Sequence, residues 1–373
     1  MSPRREIVVN ADGQRSPTAE QVKSRGIVDP SFDQDWDHES TSENLLRPTR
    51  LSEFIGQRDL VKRIGIVLEA ARLRKQPVDH FLFGGPPGLG KTSLASLISN
   101  EMRASFRVTS GPALVRQGDL AAILSDLKDG DVLFIDEIHR IPHQIEEMLY
   151  IAMEDYKIDV LVGKGPTARS VRIDLDHFTL VGATTRVGML TGPLRDRFGV
   201  IGRLEFYSVE DLHAIVLRAA KILNIAIDDG AAHEIAMRSR GTPRLANRLL
   251  KRVRDYSEVE GRTEIDLRTA RDGLGVFGVD KLGLDSIDLK ILSLLCTNFA
   301  GRGVGLGSLA VSLGEDKETL EDFYEPFLVQ SGMVLRTPRG RVATEMAYSH
   351  LGLKYVPDYQ LPMEDLFTGV DQE

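Results

Sequence analysis

Cysteine is nearly absent: Cys296 is the single thiol in 373 residues. One cysteine excludes an internal disulfide framework and a cysteine-rich zinc site. Long hydrophobic runs are missing as well. The longest, such as Val132 to Ile135, stop far short of the ~20 residues that cross a bilayer. Near the N-terminus only Ile7, Val8 and Val9 cluster before polar residues return, so no signal-peptide apolar core is present. Positive charge is in deficit, since 47 basic against 55 acidic residues leave a net charge of −8. That excludes a histone-like polycation holding nucleic acid by bulk charge, but not a local basic patch on one element. What remains is a globular composition, 42% apolar and 27% charged, long enough for two or three domains. The expectation is a soluble, cytoplasmic protein with no membrane partner.

The pattern changes several times along the chain. Residues 1–43 hold few apolar side chains and the acidic run Asp33 to Glu39, and read as a disordered extension. From 44 to 206, apolar runs alternate with helical stretches: Phe81 to Phe83, Arg107 to Ser110, Val132 to Ile135 and Phe178 to Gly182. That alternation predicts a parallel sheet covered by helices on both faces. Residues 207–278 are helical throughout. Leu212, Ile215, Val216 and Ala219 share one stripe, and Leu245, Leu249, Val253 and Tyr256 another. Residues 279–356 read as helix, helix, helix and hairpin, the order of a winged helix, and 357–373 as a loose tail.

Chemistry concentrates at the strand ends. Gly85 through Thr92 fit the G-x-x-x-x-G-K-[ST] phosphate loop, whose glycines turn backbone N–H groups onto phosphates at a helix N-terminus. Lys91 then neutralises the β- and γ-phosphates of ATP, and the Thr92 hydroxyl takes one Mg²⁺ position. The strand Val132–Ile135 delivers Asp136 and Glu137, an acidic pair suited to hold Mg²⁺ through water and to act as general base. A third strand ends in Thr184-Thr185-Arg186, where a hydroxyl, taken as that of Thr184, can orient the lytic water. Arg195 and Arg197 follow Pro193, and either suits an arginine finger offered to a neighbouring subunit's ATP. Arg244 opens the second helical stripe, on the side of the helical region that faces the nucleotide.

Phosphate loop, acidic pair, strand-end threonine, arginine finger and helical lid together resemble the plan of an AAA+ ATPase. Gly85 to Thr92, Leu133 to Arg140, Gly182 to Arg186, Pro193 to Gly199 and Arg336 to Arg341 further resemble the RuvB family, over about residues 44 to 355. The resemblance implies an α/β P-loop core with a parallel sheet, a small all-α lid and a C-terminal winged helix. It implies a homo-hexameric ring on duplex DNA that hydrolyses ATP to drive branch migration of Holliday junctions in recombination and repair. By the same resemblance Leu46, Arg47, Gly88 and Gly90 contact the nucleotide, Lys91, Thr92 and Ser93 bind its phosphates, and Glu154, Asp155 and Tyr156 lie at its adenosine end. Tyr207 and Arg244 touch it from the lid, and Arg197 rather than Arg195 is the finger. The tail before residue 44 departs from the family's usual length, and nothing in it suggests a role.

Two further segments suggest partners. Arg336-Thr337-Pro338-Arg339-Gly340-Arg341 puts three arginines at an expected hairpin tip, while the preceding helix carries Glu318, Glu321, Asp322 and Glu325, which repel phosphates. The wing is therefore expected to grip the DNA backbone without reading bases. Family positions favour Arg336 and Arg341, then Lys317. Period-2 alternation over 158–175 around Gly163 to Pro166 predicts a second hairpin with an apolar face that has little to pack on. The resemblance makes it the docking element for RuvA, with RuvC a further partner. Cys296 reads as a buried filler, and His139 lacks a second histidine or cysteine at zinc-ligand spacing. A clamp-loader-like ATPase and an ATP-switched winged-helix regulator are the competing readings. The wing arginines and the hairpin count against the first, the intact Lys91, Asp136, Glu137 and Arg197 against the second.

Overall fold

The computed structural model describes residues 45–162 and 169–355. The expected extension, the C-terminal tail and the turn at 163–166 lie outside them. The chain divides into two compact units, with the boundary between Leu250 and Lys251.

The strands of the first unit are β1 (Phe81–Gly84), β2 (Phe106–Ser110), β3 (Val132–Asp136), β4 (Lys157–Val162), β5 (Arg169–Asp174), β6 (Thr179–Thr184) and β7 (Val200–Arg203). Five of them form one parallel sheet in the order β2-β3-β6-β1-β7. β1 and β6 are buried along their whole length, which is why they read as unbroken apolar or small-residue runs. β7 has no such run and was not individually expected. It is an edge strand whose register, Phe81 against Val200, places Gly202 where a Cβ would meet Leu60 at 2.6 Å.

Parallel pairing gives the sheet two chemically different edges. Gly84 aligns with Thr184 and Ser110 with Asp136, so the phosphate loop, the threonines and the acidic pair leave from one edge. The strand starts at Phe81, Thr179 and Val200 lie on the other. Four to six residues at ~3.3 Å each separate the edges by about 13–20 Å.

The antiparallel hairpin β4–β5 corrects one expectation. Its apolar face is covered at the base: Ile158 and Leu175 belong to the core cluster around Leu149 and Phe178, and Val160 and Ile173 pack against it. Among the described side chains, Val171 is left 45% exposed.

The helical stripe at 212–219 forms Val209–Ile222, with Ser208 accepting from the Asp211 N–H at 3.1 Å as its N-cap. Leu212, Val216 and Ala219 are buried, and Ile215 half-buried. A helix not individually resolved in the sequence, Asp229–Met237, follows, and then Pro243–Val259.

In the second unit, helix Ser286–Ser293 continues as a wider turn through Asn298, followed by helix Leu306–Leu313 and the joined helical stretches Lys317–Thr319, Leu320–Tyr324 and Glu325–Gln330. The hairpin of β8 (Val334–Thr337) and β9 (Gly340–Ala343) completes the winged helix. Val304 extends it, exchanging N–H and C=O bonds with Arg341 at 3.0 and 2.8 Å. Gly340 (φ 121°) is needed there, because a Cβ would stand 2.3 Å from the Val304 carbonyl oxygen. Cys296 is buried in this core, and burial pushes its thiol pKa up to about 11. It is a packing residue.

Candidate nucleotide site and DNA interface

The loop between β1 and helix Lys91–Met102 turns through Gly85, Gly88 and Gly90, all with positive φ. A Cβ on Gly88 would meet Thr242 at 2.8 Å and Arg244 at 3.2 Å, so the loop and the lid are in close contact. Lys91 is buried, its ammonium donating to the carbonyls of Gly85 and Pro86 at 2.8 and 2.9 Å. The helix that follows has no side-chain N-cap, which leaves its first N–H groups to an anion. A buried cation at an uncapped helix start, with Thr92 and Ser93 half-buried on its first turn, fits a polyphosphate.

The lid meets this loop through backbone. The Arg244 N–H donates to Gly88 O at 3.4 Å, and the Tyr207 hydroxyl donates to Leu89 O at 3.0 Å. Burial raises the Tyr207 phenol above its ordinary pKa, so it stays a donor. Tyr207 therefore braces the loop, its hydroxyl committed to protein. Leu46 is buried, and its carbonyl accepts from Arg218 at 2.7 Å, which ties the chain leading to Arg47 onto the lid helix.

β6 lies between β1 and β3, so its end stands between loop and acidic pair. Asp136 accepts from the Glu137 N–H at 2.9 Å. Glu137 takes a left-handed conformation (φ 48°), the kind of backbone strain that proteins store at functional sites. His139, to which the sequence alone gives no role, lies within reach of both strand ends. Its Nδ1 lies 3.2 Å from Glu137 Oε2 and 2.9 Å from Thr184 Oγ1. Thr184 Oγ1 also accepts from the Arg186 N–H at 2.9 Å. The completely buried Thr184 hydroxyl thus has two protein partners, whereas the buried hydroxyl of Thr185 has no hydrogen-bond partner. Thr92 and Asp136 are oxygen donors of the sort Mg²⁺ takes.

The opposite edge gathers a different set. Arg197 donates to Glu154 at the end of helix His143–Asp155. Its loop is fixed by buried Leu194 and Phe198 and by Thr191, whose N–H and hydroxyl donate to Glu146 at 3.1 and 2.6 Å. Arg195 points into solvent from the short helix Gly192–Arg195. Tyr156 stacks on His177 at 4.2 Å between ring centroids and edge-on to Phe178. Beside it, buried His80 accepts the Leu180 N–H on Nδ1 at 2.9 Å and donates from Nε2 to Met153 O at 3.2 Å. Burial holds its pKa below the ordinary histidine value. Of Glu154, Asp155 and Tyr156, expected at the adenosine end, Glu154 is thus brought to Arg197, while Tyr156 packs on His177 and Phe178 at the start of β4. The reason is topological: helix His143–Asp155 runs back from the loop edge to the edge where strands begin.

The wing also departs from expectation. Glu325, read as a phosphate-repelling side chain, is buried and accepts from Arg336 Nε at 2.9 Å and from Arg341 Nε and Nη2 at 2.7 and 3.1 Å. Burial alone would raise its pKa, but the bonds from Arg341 and Arg336 outweigh burial and hold the carboxyl below its usual range. Glu318 and Lys317 are exposed, while Glu321 and Asp322 are half-buried.

Three family models match in chain order: the Holliday junction DNA helicase RuvB P-loop domain over residues 46–204, the RuvB AAA lid domain over 207–280 and the RuvB C-terminal winged helix domain over 281–352. Among solved structures, the Thermotoga maritima RuvB Holliday junction branch migration motor is 50% identical, with a TM-score of 0.77, covering 84% of this chain and 100% of that one. A lysine-to-arginine mutant of Thermotoga maritima RuvB gives 50% identity and a TM-score of 0.78, covering 84% and 99%. These matches set aside the clamp-loader and regulator alternatives. With three matching domains in order and the ATPase strand-end residues on one edge of the sheet, the chain belongs to the RuvB family of Holliday junction DNA helicases.

Proposed function

We propose that this chain is one subunit of an ATP-driven ring, a homo-hexamer in the cytoplasm, that pumps duplex DNA to migrate Holliday junctions together with RuvA, and with RuvC as a further partner. The observation that carries the reading is the separation of Arg197 from the phosphate loop by the depth of the sheet. A subunit built so holds a nucleotide at one edge and the cation needed for its cleavage at the other. A head-to-tail neighbour supplies the missing half.

In the ATP complex Leu46, Arg47, Gly88 and Gly90 line the nucleotide. Lys91 and Ser93 bind the phosphates, with Arg244 approaching from the lid and Tyr207 supporting the loop. Thr92 and Asp136 would hold Mg²⁺, which would supply charge neutralisation at the phosphate oxygens. Glu137 accepts the proton of the attacking water. Thr185, whose hydroxyl is uncommitted, orients that water, and Thr184 holds the strand end and His139. Arg197 reaches the neighbour's γ-phosphoryl group, and Glu154, Asp155 and Tyr156 flank the same neighbouring nucleotide. The wing grips the DNA backbone through Arg336 and Arg341, with Lys317 a lesser contact, and the β4–β5 hairpin docks RuvA. The test is ATP-dependent migration of a synthetic four-way junction, alone and with RuvA. Hydrolysis that is unaffected by duplex DNA and by protein concentration would overturn the reading.

A further inference from the structure

β8 and β9 pair so that Arg336 stands directly opposite Arg341. Two like charges facing each other across an antiparallel pair are destabilising. Glu325 relieves this from below: one carboxylate oxygen takes the Nε of both arginines, and the other takes Arg341 Nη2. The carboxylate is almost fully buried, its side chain 6% exposed, while the arginine side chains are 53% exposed for Arg336 and 21% for Arg341. Glu325 therefore binds Arg336 by its inner nitrogen only. The outer Nη groups of that half-exposed guanidinium make no bond to Glu325.

We infer that Glu325 is a positioning residue of the DNA interface, holding Arg336 by Nε so that its Nη groups present a preformed fork to a backbone phosphate. This rests on the reading of the wing as the DNA contact. It explains why a buried carboxylate sits beneath a DNA-binding wing, where charge alone makes it a handicap. A guanidinium can hold a carboxylate with one nitrogen and offer a phosphate a fixed planar fork with the others; a lysine ammonium has three donors on a single rotating centre and no fork for Glu325 to aim.

The experiment measures binding of the full chain to fluorescently labelled duplex DNA as a function of salt, for wild type, Arg336→Ala, Glu325→Gln and Arg336→Lys. Arg336→Ala should bind about tenfold more weakly, with a salt slope smaller by about one, as for a lost phosphate contact. Glu325→Gln removes a negative charge, so bulk electrostatics alone makes it bind more tightly. Positioning makes it about tenfold weaker, with the same loss of slope, and no weaker again when combined with Arg336→Ala. Arg336→Lys keeps both the charge and Glu325, and so tests the idea without disturbing the buried carboxylate; it should also lose about tenfold. Wild-type or tighter binding by Glu325→Gln or Arg336→Lys, with Arg336→Ala still weak, overturns the positioning role while leaving the wing contact standing. Unchanged binding by Arg336→Ala overturns the wing contact itself, and the role of Glu325 with it.

Discussion

The adjacent threonines at the end of β6 offer a sharp test, because one hydroxyl is committed and the other is not. Thr184→Val keeps the shape of the side chain and deletes the oxygen shared by His139 Nδ1 and the Arg186 N–H. Both groups lose a buried partner. His139 keeps Glu137 at 3.2 Å, so the loss is that of two hydrogen bonds; at roughly 0.5–1.5 kcal/mol each, the cost is about 1–3 kcal/mol. For a domain of this size that lowers Tm by about 2–12 °C. Thr185→Val removes a hydroxyl with no protein partner, so stability should stay within ~0.5 kcal/mol of wild type. Its effect falls on chemistry: losing a group that orients the attacking water should cost roughly 10²-fold in turnover, by analogy with a lost transition-state hydrogen bond. Differential scanning fluorimetry and DNA-stimulated ATPase assays on both variants, with nucleotide affinity measured separately, give the needed contrast. A Thr184→Val protein that melts with wild type refutes the structural assignment. A Thr185→Val protein that hydrolyses normally refutes the catalytic one.

Glu137→Gln should still bind ATP but turn it over negligibly, because an amide keeps the shape and cannot take the water's proton; loss of binding instead would make Glu137 structural. Arg197→Ala should retain nucleotide affinity and lose about 10³-fold or more in turnover. Mixing it with Lys91→Ala should restore part of the activity that neither shows alone, and co-assembled mixtures that stay inert would place the finger's action elsewhere. His80 gives a pH dependence. Its folded pKa lies below the ordinary value of ~6.5, so the unfolded chain binds the proton more readily. The stability it contributes is complete above about pH 6.5 and is lost as pH falls below that value. Thermal melts of wild type and His80→Gln across that range should converge toward acid, and parallel curves would exclude the imidazole as the source.

Sequence periodicity and strand-end chemistry carried most of the ATPase unit, and the reasons are local. β1, β3 and β6 read as apolar runs because central parallel strands are buried on both faces. The phosphate loop is legible because few residue types allow the positive φ at Gly85, Gly88 and Gly90. β7 was not, because an edge strand needs apolar cover on one side only, and Ile201 is 44% exposed. The choice between Thr184 and Thr185 lay beyond reach for a different reason. Two identical side chains differ only in what the fold brings to them, and His139 arrives from a separate turn. Glu325 was misread for the same cause: a carboxylate on a helix looks solvated until the strands eleven and sixteen residues later bring arginines onto it.

The direction of the sheet does more than display the active site. All five strands run the same way, so every strand end belongs to one edge and every strand start to the other. The phosphate loop at Lys91 is thereby separated from the Arg197 of its own chain by the full length of β1. A two-fold dimer could join finger to loop only reciprocally, as a closed pair, whereas a head-to-tail contact leaves one finger and one loop open and closes a ring when the rotation permits. Within one subunit Arg197 is meanwhile occupied by Glu154. In the proposed ring the pair would hold the guanidinium at the edge where the neighbour's phosphates arrive, and a γ-phosphate with its greater negative charge would compete for the same nitrogens. Substituting Glu154 with Gln should therefore leave nucleotide affinity of the subunit unchanged while altering turnover only at concentrations where subunits assemble. An equal effect on dilute, monomeric chains would show that Glu154 serves its own subunit's site, and would undo the division of labour between the two edges.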